Sequence, residues 1–328
     1  MIPLTDISWQ SRTWQWHLGN AITDINELVR ILDLPQDALT TDFPVLVPLP
    51  WLSRIEPGNP QDPLLLQVLP RPAELAPAEG FLDDPLQEAH SAPIPGLLHK
   101  YQGRVLVVVS GACGVNCRYC FRRHFPYQDF RPDTARWHEI AAYIRRDPSI
   151  TEVILSGGDP LVLSDRRLAW IAELIGGIDH VRTLRLHTRM PIAIPQRVCD
   201  ELLGWMHATH LRIVMVVHTN HAQEIDDAVA DAMAQLAGSG ALLLNQSVLL
   251  REVNDSVKSL TALSRRLFDV GVTPYYLHLL DAVNGAAHFD VPEQEARHLM
   301  EGVAASLPGY LVPRLVREIP GEPFKVPR

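Results

Sequence analysis

From residue 104 onward, short continuous apolar runs alternate with stretches of helical periodicity. The runs are Val105–Val109, Val153–Leu155, Leu184–Leu186, Leu211–Val217, Leu242–Leu250 and Tyr275–Leu280. Amphipathic patterns fill the gaps, at about 133–146, 165–176, 196–207, 222–237, 256–270 and 292–306. Unbroken β-branched runs separated by helices predict parallel strands covered by helices. Six such units fall short of a closed eight-stranded barrel. The pattern therefore predicts an α/β fold, a partial, open (β/α)6 TIM-like barrel, with Tyr310–Ile319 as an additional edge segment.

Before residue 97 the pattern changes. Ile7 to Leu34 carries apolar positions at helical spacing, among them Trp9, Trp14, Trp16, Ile22, Ile25, Leu28, Val29 and Leu32, and predicts one or two amphipathic helices ending at Pro35. Of the chain's 27 prolines, 14 lie in the first 95 residues, so 44–95 reads as punctuated cover and not as a catalytic domain of its own. The expected organisation is a helical, proline-rich cover over 1–96, a barrel over 97–309 and a C-terminal segment over 310–328.

The unusual polar residues cluster just after the predicted strands. Cys113, Cys117 and Cys120 follow the first, and Ser156-Gly157-Gly158-Asp159-Pro160 the second. His187-Thr188-Arg189 follows the third and His218-Thr219-Asn220-His221 the fourth. Asn245-Gln246-Ser247 interrupts the fifth, and Asp281 ends the sixth. In (β/α) barrels the C-terminal strand ends build the active site, so these positions are expected to converge on one mouth.

The cysteines are spaced C-x3-C-x2-C. Three thiolates on a cubane iron–sulfur cluster leave one iron free to bind a small molecule. With His124 four residues on, the same residues also fit a Cys3His zinc site. Gly157-Gly158 suits close approach of a ligand to backbone groups, or a plain tight turn. For His218 and His221, hydrogen-bonding roles at the mouth are expected, not a second metal pair.

Composition narrows the class. The chain has 328 residues, 47% of them hydrophobic, and a net charge of −9 without a basic run, which argues against a nucleic-acid binder. Its start, MIPLTDISWQ, lacks the basic and apolar regions of a signal peptide, and no stretch is long and apolar enough to span a membrane. Four cysteines, three of them clustered, form no disulfide framework; a reducing cytoplasmic setting is expected. Cys199 stands alone in a predicted helix, where a packing role is expected.

The C-x3-C-x2-C motif and the Gly157-Gly158 pair resemble those of the radical S-adenosylmethionine (SAM) superfamily, in which SAM chelates the open iron and is split to a 5′-deoxyadenosyl radical. More specific stretches are Asp84-Pro85-Leu86, Pro93-Ile94-Pro95-Gly96-Leu97, Cys117-Arg118-Tyr119-Cys120-Phe121-Arg122-Arg123, Ser156 to Leu161, Asn245 to Leu250, His288-Phe289 and the proline-bounded Glu318 to Lys325. Together they are similar to the lysine 2,3-aminomutase family and, within it, to the branch that makes (R)-β-lysine for elongation factor P.

That resemblance implies a [4Fe-4S] cluster on Cys113, Cys117 and Cys120, SAM, and pyridoxal 5′-phosphate (PLP) carried by Lys325 as a Schiff base. It assigns the PLP phosphate to Lys100, Tyr101 and Arg104, and further cofactor contacts to Ser156, Gly157, Gly158, Asp159, Arg189 and Gln246. It gives the substrate carboxylate to Arg122 and the distal ammonium to Asp281 and Glu318. Glu318 stands where the family usually has aspartate, and Gly321-Glu322-Pro323-Phe324 replaces a glycine run. The implied activity converts L-lysine to (R)-β-lysine. The implied partners are lysine, an electron donor, and elongation factor P or its lysine ligase; neither nucleic acid nor membrane is expected. The rival readings are a catabolic or osmolyte-producing aminomutase and a zinc-stapled interaction domain.

Overall fold

The computed structural model of the chain describes residues 7–35, 39, 41–130 and 132–328. One sheet contains β1 (Leu97–Tyr101), β2 (Arg104–Ser110), β3 (Glu152–Gly157), β4 (Thr183–Thr188), β5 (Arg212–Val217), β6 (Leu242–Val248), β7 (Thr273–His278), β8 (Arg314–Arg317) and β9 (Val326–Pro327), ordered as in the chain. From β2 to β8 every pairing is parallel; β1 joins β2, and β9 joins β8, antiparallel. The sheet ends on β1 and β9 and is open.

Helices α1 (Thr134–Arg146), α2 (Asp165–Gly176), α3 (Asp200–Ala208), α4 (Asp227–Gly238), α5 (Val257–Asp269) and α6 (Glu293–Ser306) follow β2 to β7 in turn. Their sequences explain their placement. In α1 the buried residues Trp137, Ile140, Ala141 and Ile144 recur at helical spacing and form one apolar stripe. Side chains of Asp133, Ser164, Asp226 and Ser256 accept hydrogen bonds from backbone N–H groups in the first turns of α1, α2, α4 and α5.

The six expected strand–helix units are present. The segment Tyr310–Ile319 contains β8, a seventh parallel strand. Neither β1 nor β9 was expected. Only Leu97 and Leu98 of β1 are deeply buried, and its outer half is polar, so no apolar run marks it. Strand β9 has two residues, too few for any pattern, yet its pairing with Val316 and Arg317 brings Lys325 back to the sheet.

The N-terminal stretch forms a 3₁₀ turn (Ile7–Ser11) and two short helices, Trp14–Gly19 and Ile25–Ile31, broken where Thr13 and Asp24 act as N-caps. Trp9, Trp14, Leu28, Leu32 and Trp51 share one apolar core with Trp137 and Leu155 of the barrel. Val47, Leu52, Leu64 and Leu65 join the same core, and ion pairs add to the hold. Arg118, fully buried between two of the cysteines, places Nε 2.8 Å from Glu74 Oε1 and Nη1 2.8 Å from Phe43 O. Arg123 Nη2 adds a 3.1 Å contact to Glu74. The cover is thereby tied to the cysteine loop itself. Breaking such a buried pair typically costs about 3–5 kcal/mol. Cys199 precedes α3 as its N-cap residue and is half-buried, with Arg197 Nη1 3.7 Å from its sulfur.

Candidate active site

A cavity of about 400 Å³ opens at the C-terminal ends of the parallel strands. Its wall contains every residue that the resemblance assigned to a cofactor or the substrate: the three cysteines, Lys100, Tyr101 and Arg104, Arg122, Ser156 to Asp159, Arg189, Gln246, Asp281, Glu318 and Lys325; His124, His221 and Asn245 lie outside it. Residues as far apart as Lys100 and Lys325 meet because β1 and β8–β9 bring the two ends of the barrel sequence to one mouth.

Cys113, Cys117 and Cys120 face this space as free thiols. Burial, then the neighbouring Cys117, pushes the Cys120 thiol up to about 11, and burial, then Cys120, raises Cys113 well above the ordinary thiol range. Such thiols lose their protons when a cationic metal centre takes the protons' place. His124 points elsewhere, with Nε2 3.4 Å from Asn284 O and 3.7 Å from Asp83. Among the described residues, no three His, Cys, Asp or Glu side chains gather as they would around a single ion. Cys113, Cys117 and Cys120 line one cavity and supply the three thiolates of a cubane with one open iron.

The glycine pair has a role not expected from the sequence. Gly158 N donates to Ser110 O at 2.7 Å and Asp159 N to Ala112 O at 2.8 Å, so this loop lies directly on the start of the cysteine loop. A Cβ at Gly157, whose φ is +127°, would collide with Ser110 O, and one at Gly158 with Ala112 O. Close packing of backbone on backbone is what requires both glycines. The Asp159 carboxylate is committed as well, accepting from Leu161 N at 2.9 Å, Thr188 Oγ1 at 2.7 Å, Arg189 N at 2.6 Å and Met190 N at 3.1 Å. It pins the loop after β3 to the loop after β4.

Arg189 is buried and reaches several partners at once. Nη1 lies 2.7 Å from Tyr119 Oη and from Cys117 Sγ, and Nη2 lies 2.6 Å from Gln67 Oε1 and 3.0 Å from Glu224 Oε2. Gln67, from the cover, also accepts from Asn220 Nδ2 at 3.0 Å. His218 Nε2 pairs with Tyr119 Oη at 2.7 Å, and His221 caps the turn at 222–224. These histidines serve hydrogen bonding, as expected.

Starting beside the cysteines, the wall carries a chain of charges. Arg122 Nε and Nη2 lie 2.7 and 2.9 Å from the two Glu88 oxygens, and Nη1 is 3.2 Å from Ser156 Oγ and Gly157 O. Lys100 Nζ lies 3.0 Å from Glu88 and 2.8 Å from Glu318. Lys325 Nζ stands 3.3 Å from Glu318 Oε2 and 3.3 Å from His278 Nε2. Burial opposes ionisation of Glu318, but Lys325 and Lys100 hold its pKa well below the usual range. At Asp281 burial, then Glu318, outweighs the pull of the same two lysines and raises the pKa to about 7. Burial, then adjacent cations, keeps His187 and His278 neutral.

The residues fit PLP. A lysine amine is present, Arg104 and Arg185 line the same wall, and two buried polar atoms facing the cavity, His187 Nε2 and Gln246 Nε2, have no protein partner. Lys100, expected at the phosphate, instead bridges two carboxylates here. Glu88, Gln67 and His278 were not anticipated, whereas His187 lies at the mouth as expected. Glu88 follows the quoted Asp84-Pro85-Leu86, and that is the only signal that could have drawn attention to it.

The profile of the Radical SAM superfamily matches residues 107–205. L-lysine 2,3-aminomutase of Escherichia coli (strain K12) is 47% identical over 321 residues, covering 96% of this chain and 94% of that protein. The Haemophilus influenzae protein of the same name is 46% identical over 331 residues, covering 99% and 98%. The Clostridium subterminale L-lysine 2,3-aminomutase is 35% identical over 331 residues, with 99% of this chain and 79% of that protein aligned.

Proposed function

The chain belongs to the lysine 2,3-aminomutase family of the radical SAM superfamily, and we propose that it makes (R)-β-lysine from L-lysine for attachment to elongation factor P. It is an isomerase, and the cofactors of its family are a [4Fe-4S] cluster, SAM and PLP. The observation that carries the reading is that three thiols, a lysine amine and charges of both signs line one cavity. The elongation factor P branch is supported by the resemblance of the sequence stretches quoted above.

When bound, the cluster with SAM supplies a carbon radical for hydrogen removal at C3, and PLP supplies the π-system across which nitrogen moves. The protein's share is binding, orientation and exclusion of water. In this reading Cys113, Cys117 and Cys120 hold the cluster and Lys325 holds the PLP aldehyde, for which its amine must be deprotonated. The planar fork of Arg122 suits a carboxylate. Asp281 and Glu318 offer negative charge to the distal ammonium.

Asp281 gives this reading a pH signature. With its pKa raised to about 7, it is protonated in the free enzyme below that pH and ionised above it. Only the ionised form complements an ammonium ion. The KM for lysine is therefore expected to be flat on the alkaline side and to rise as pH falls through 7. Asp281→Asn is expected to remove that dependence and to lower kcat/KM for lysine several hundredfold, taking about 3–5 kcal/mol for one lost partner of a buried pair at tenfold per ~1.4 kcal/mol. Kinetics with lysine, ornithine and glutamate test this. Preference for glutamate in the wild type, or normal lysine turnover in both Asp281→Asn and Glu318→Gln, would refute the assignment. Transfer of the product to elongation factor P by its ligase in a coupled assay tests the branch, and a product the ligase rejects contradicts it.

A further inference from the structure

We propose that Glu88 is a positioning residue of this site: one carboxylate that fixes the Arg122 fork and, through Lys100, sets its distance from Glu318. The inference rests on the reading of Arg122 as the carboxylate partner of lysine.

Three observations support it. Glu88 is 3% exposed in a turn whose neighbours Gln87, Ala89 and His90 are all exposed, so a charged side chain has been turned inward from a surface segment. Desolvating a carboxylate is costly unless partners compensate. The backbone is shaped for this orientation. Gln87 adopts φ +49°, a left-handed conformation uncommon outside glycine, and Asp84 Oδ1 accepts from Glu88 N at 3.3 Å. Finally, both Glu88 oxygens are used. Oε2 takes Arg122 Nε, while Oε1 takes Arg122 Nη2 and Lys100 Nζ. Charges then alternate without a gap along Arg122, Glu88, Lys100, Glu318 and Lys325.

The geometry decides what Glu88 does. It grips one edge of the guanidinium, while Ser156 Oγ and Gly157 O hold Nη1. Arg122 is thus held on two sides with its second Nη2 hydrogen left over. A clamped guanidinium offers that one remaining hydrogen and its charge to a substrate carboxylate oxygen, and little rotamer freedom remains to be lost on binding. The same side chain fixes Lys100 against Glu318 and so gauges the span between the two ends of the amino acid.

The test compares dissociation constants of lysine and of its decarboxylated analogue, pentane-1,5-diamine, on the cluster- and PLP-loaded protein by calorimetry, together with kcat and KM for lysine. The diamine keeps both amines and lacks only the group Arg122 reads. Glu88→Gln and Glu88→Asp are each expected to reduce lysine's advantage over the diamine by about tenfold, equivalent to about 1.4 kcal/mol. Iron content stays near wild type, diamine affinity falls less than lysine affinity, and KM moves more than kcat. Aspartate keeps the charge but draws it back by one methylene, so its loss separates positioning from charge alone; it also decides the matter if Glu88→Gln fails to fold. An unchanged or increased advantage for lysine in Glu88→Asp overturns the proposal. Arg122→Lys separates the two claims. If it removes the advantage while the Glu88 variants keep it, only the role of Glu88 fails; if it too leaves the advantage intact, the reading of Arg122 fails first.

Discussion

Alanine at Cys117 is expected to abolish release of 5′-deoxyadenosine from SAM and, with it, all aminomutase activity. The expectation follows from ligand count. Three thiols face one cavity, and removing one leaves two to hold a cluster that already has an open iron. Cys113→Ala and Cys120→Ala are expected to behave alike. His124→Ala and Cys199→Ala serve as controls. His124 faces Asn284 and Asp83, and Cys199 caps a helix beside Arg197, so both variants should keep the iron content of the wild type. Iron analysis and product chromatography on anaerobically purified protein check this. Normal 5′-deoxyadenosine release by Cys117→Ala would rule out the ligand assignment.

The second large effect is expected at Lys325. Its Nζ lies in the cavity between Glu318 and His278, the position from which a deprotonated amine would capture an aldehyde. Borohydride reduction of the PLP-loaded protein should fix the cofactor on Lys325, located by peptide mass spectrometry. Lys325→Ala should lose the cofactor's visible absorbance and all lysine turnover. Its iron content should remain, because the thiols belong to a different loop. Lys100 is the informative competitor: it lines the same cavity but is held by Glu88 and Glu318, whose charges outweigh burial and raise its pKa. A protonated amine is a poor nucleophile. Trapping on Lys100 or on Lys258 would move the PLP assignment.

The apolar runs made β2 to β7 legible, and apolar stripes their helices, even though β4 and β6 alternate buried with less buried residues. The two edge hairpins were not legible. Strand β1 is half polar, and β9 is too short for any periodicity. These are the elements that bring Lys100 and Lys325 together, so the sequence could name both lysines from a resemblance without showing how they meet. The glycine pair illustrates a second limit. Its spacing was visible, but whether it admits a ligand or a neighbouring loop depends on the position of Ser110 and Ala112. Glu88 illustrates a third. A charged residue among exposed neighbours reads as solvated until Gln87 turns it inward beside two cations.

No helix among the described residues is long and apolar enough to cross a membrane. The cover contributes Gln67 and Glu74 to the hydrogen bonds of the barrel mouth, which gives residues far from the cysteine motif in sequence a direct hold on its geometry.

The central claim is the conversion of lysine to its 3-amino isomer in the cavity that holds the three thiols and Lys325. Its most direct measurement is chiral product analysis after anaerobic incubation of the reconstituted protein with L-lysine, SAM, PLP and a reductant. The account predicts (R)-β-lysine, formed only when SAM and PLP are both present. Lysine recovered unchanged from protein with a full iron complement, or a β-amino acid formed from glutamate in preference to lysine, would contradict it.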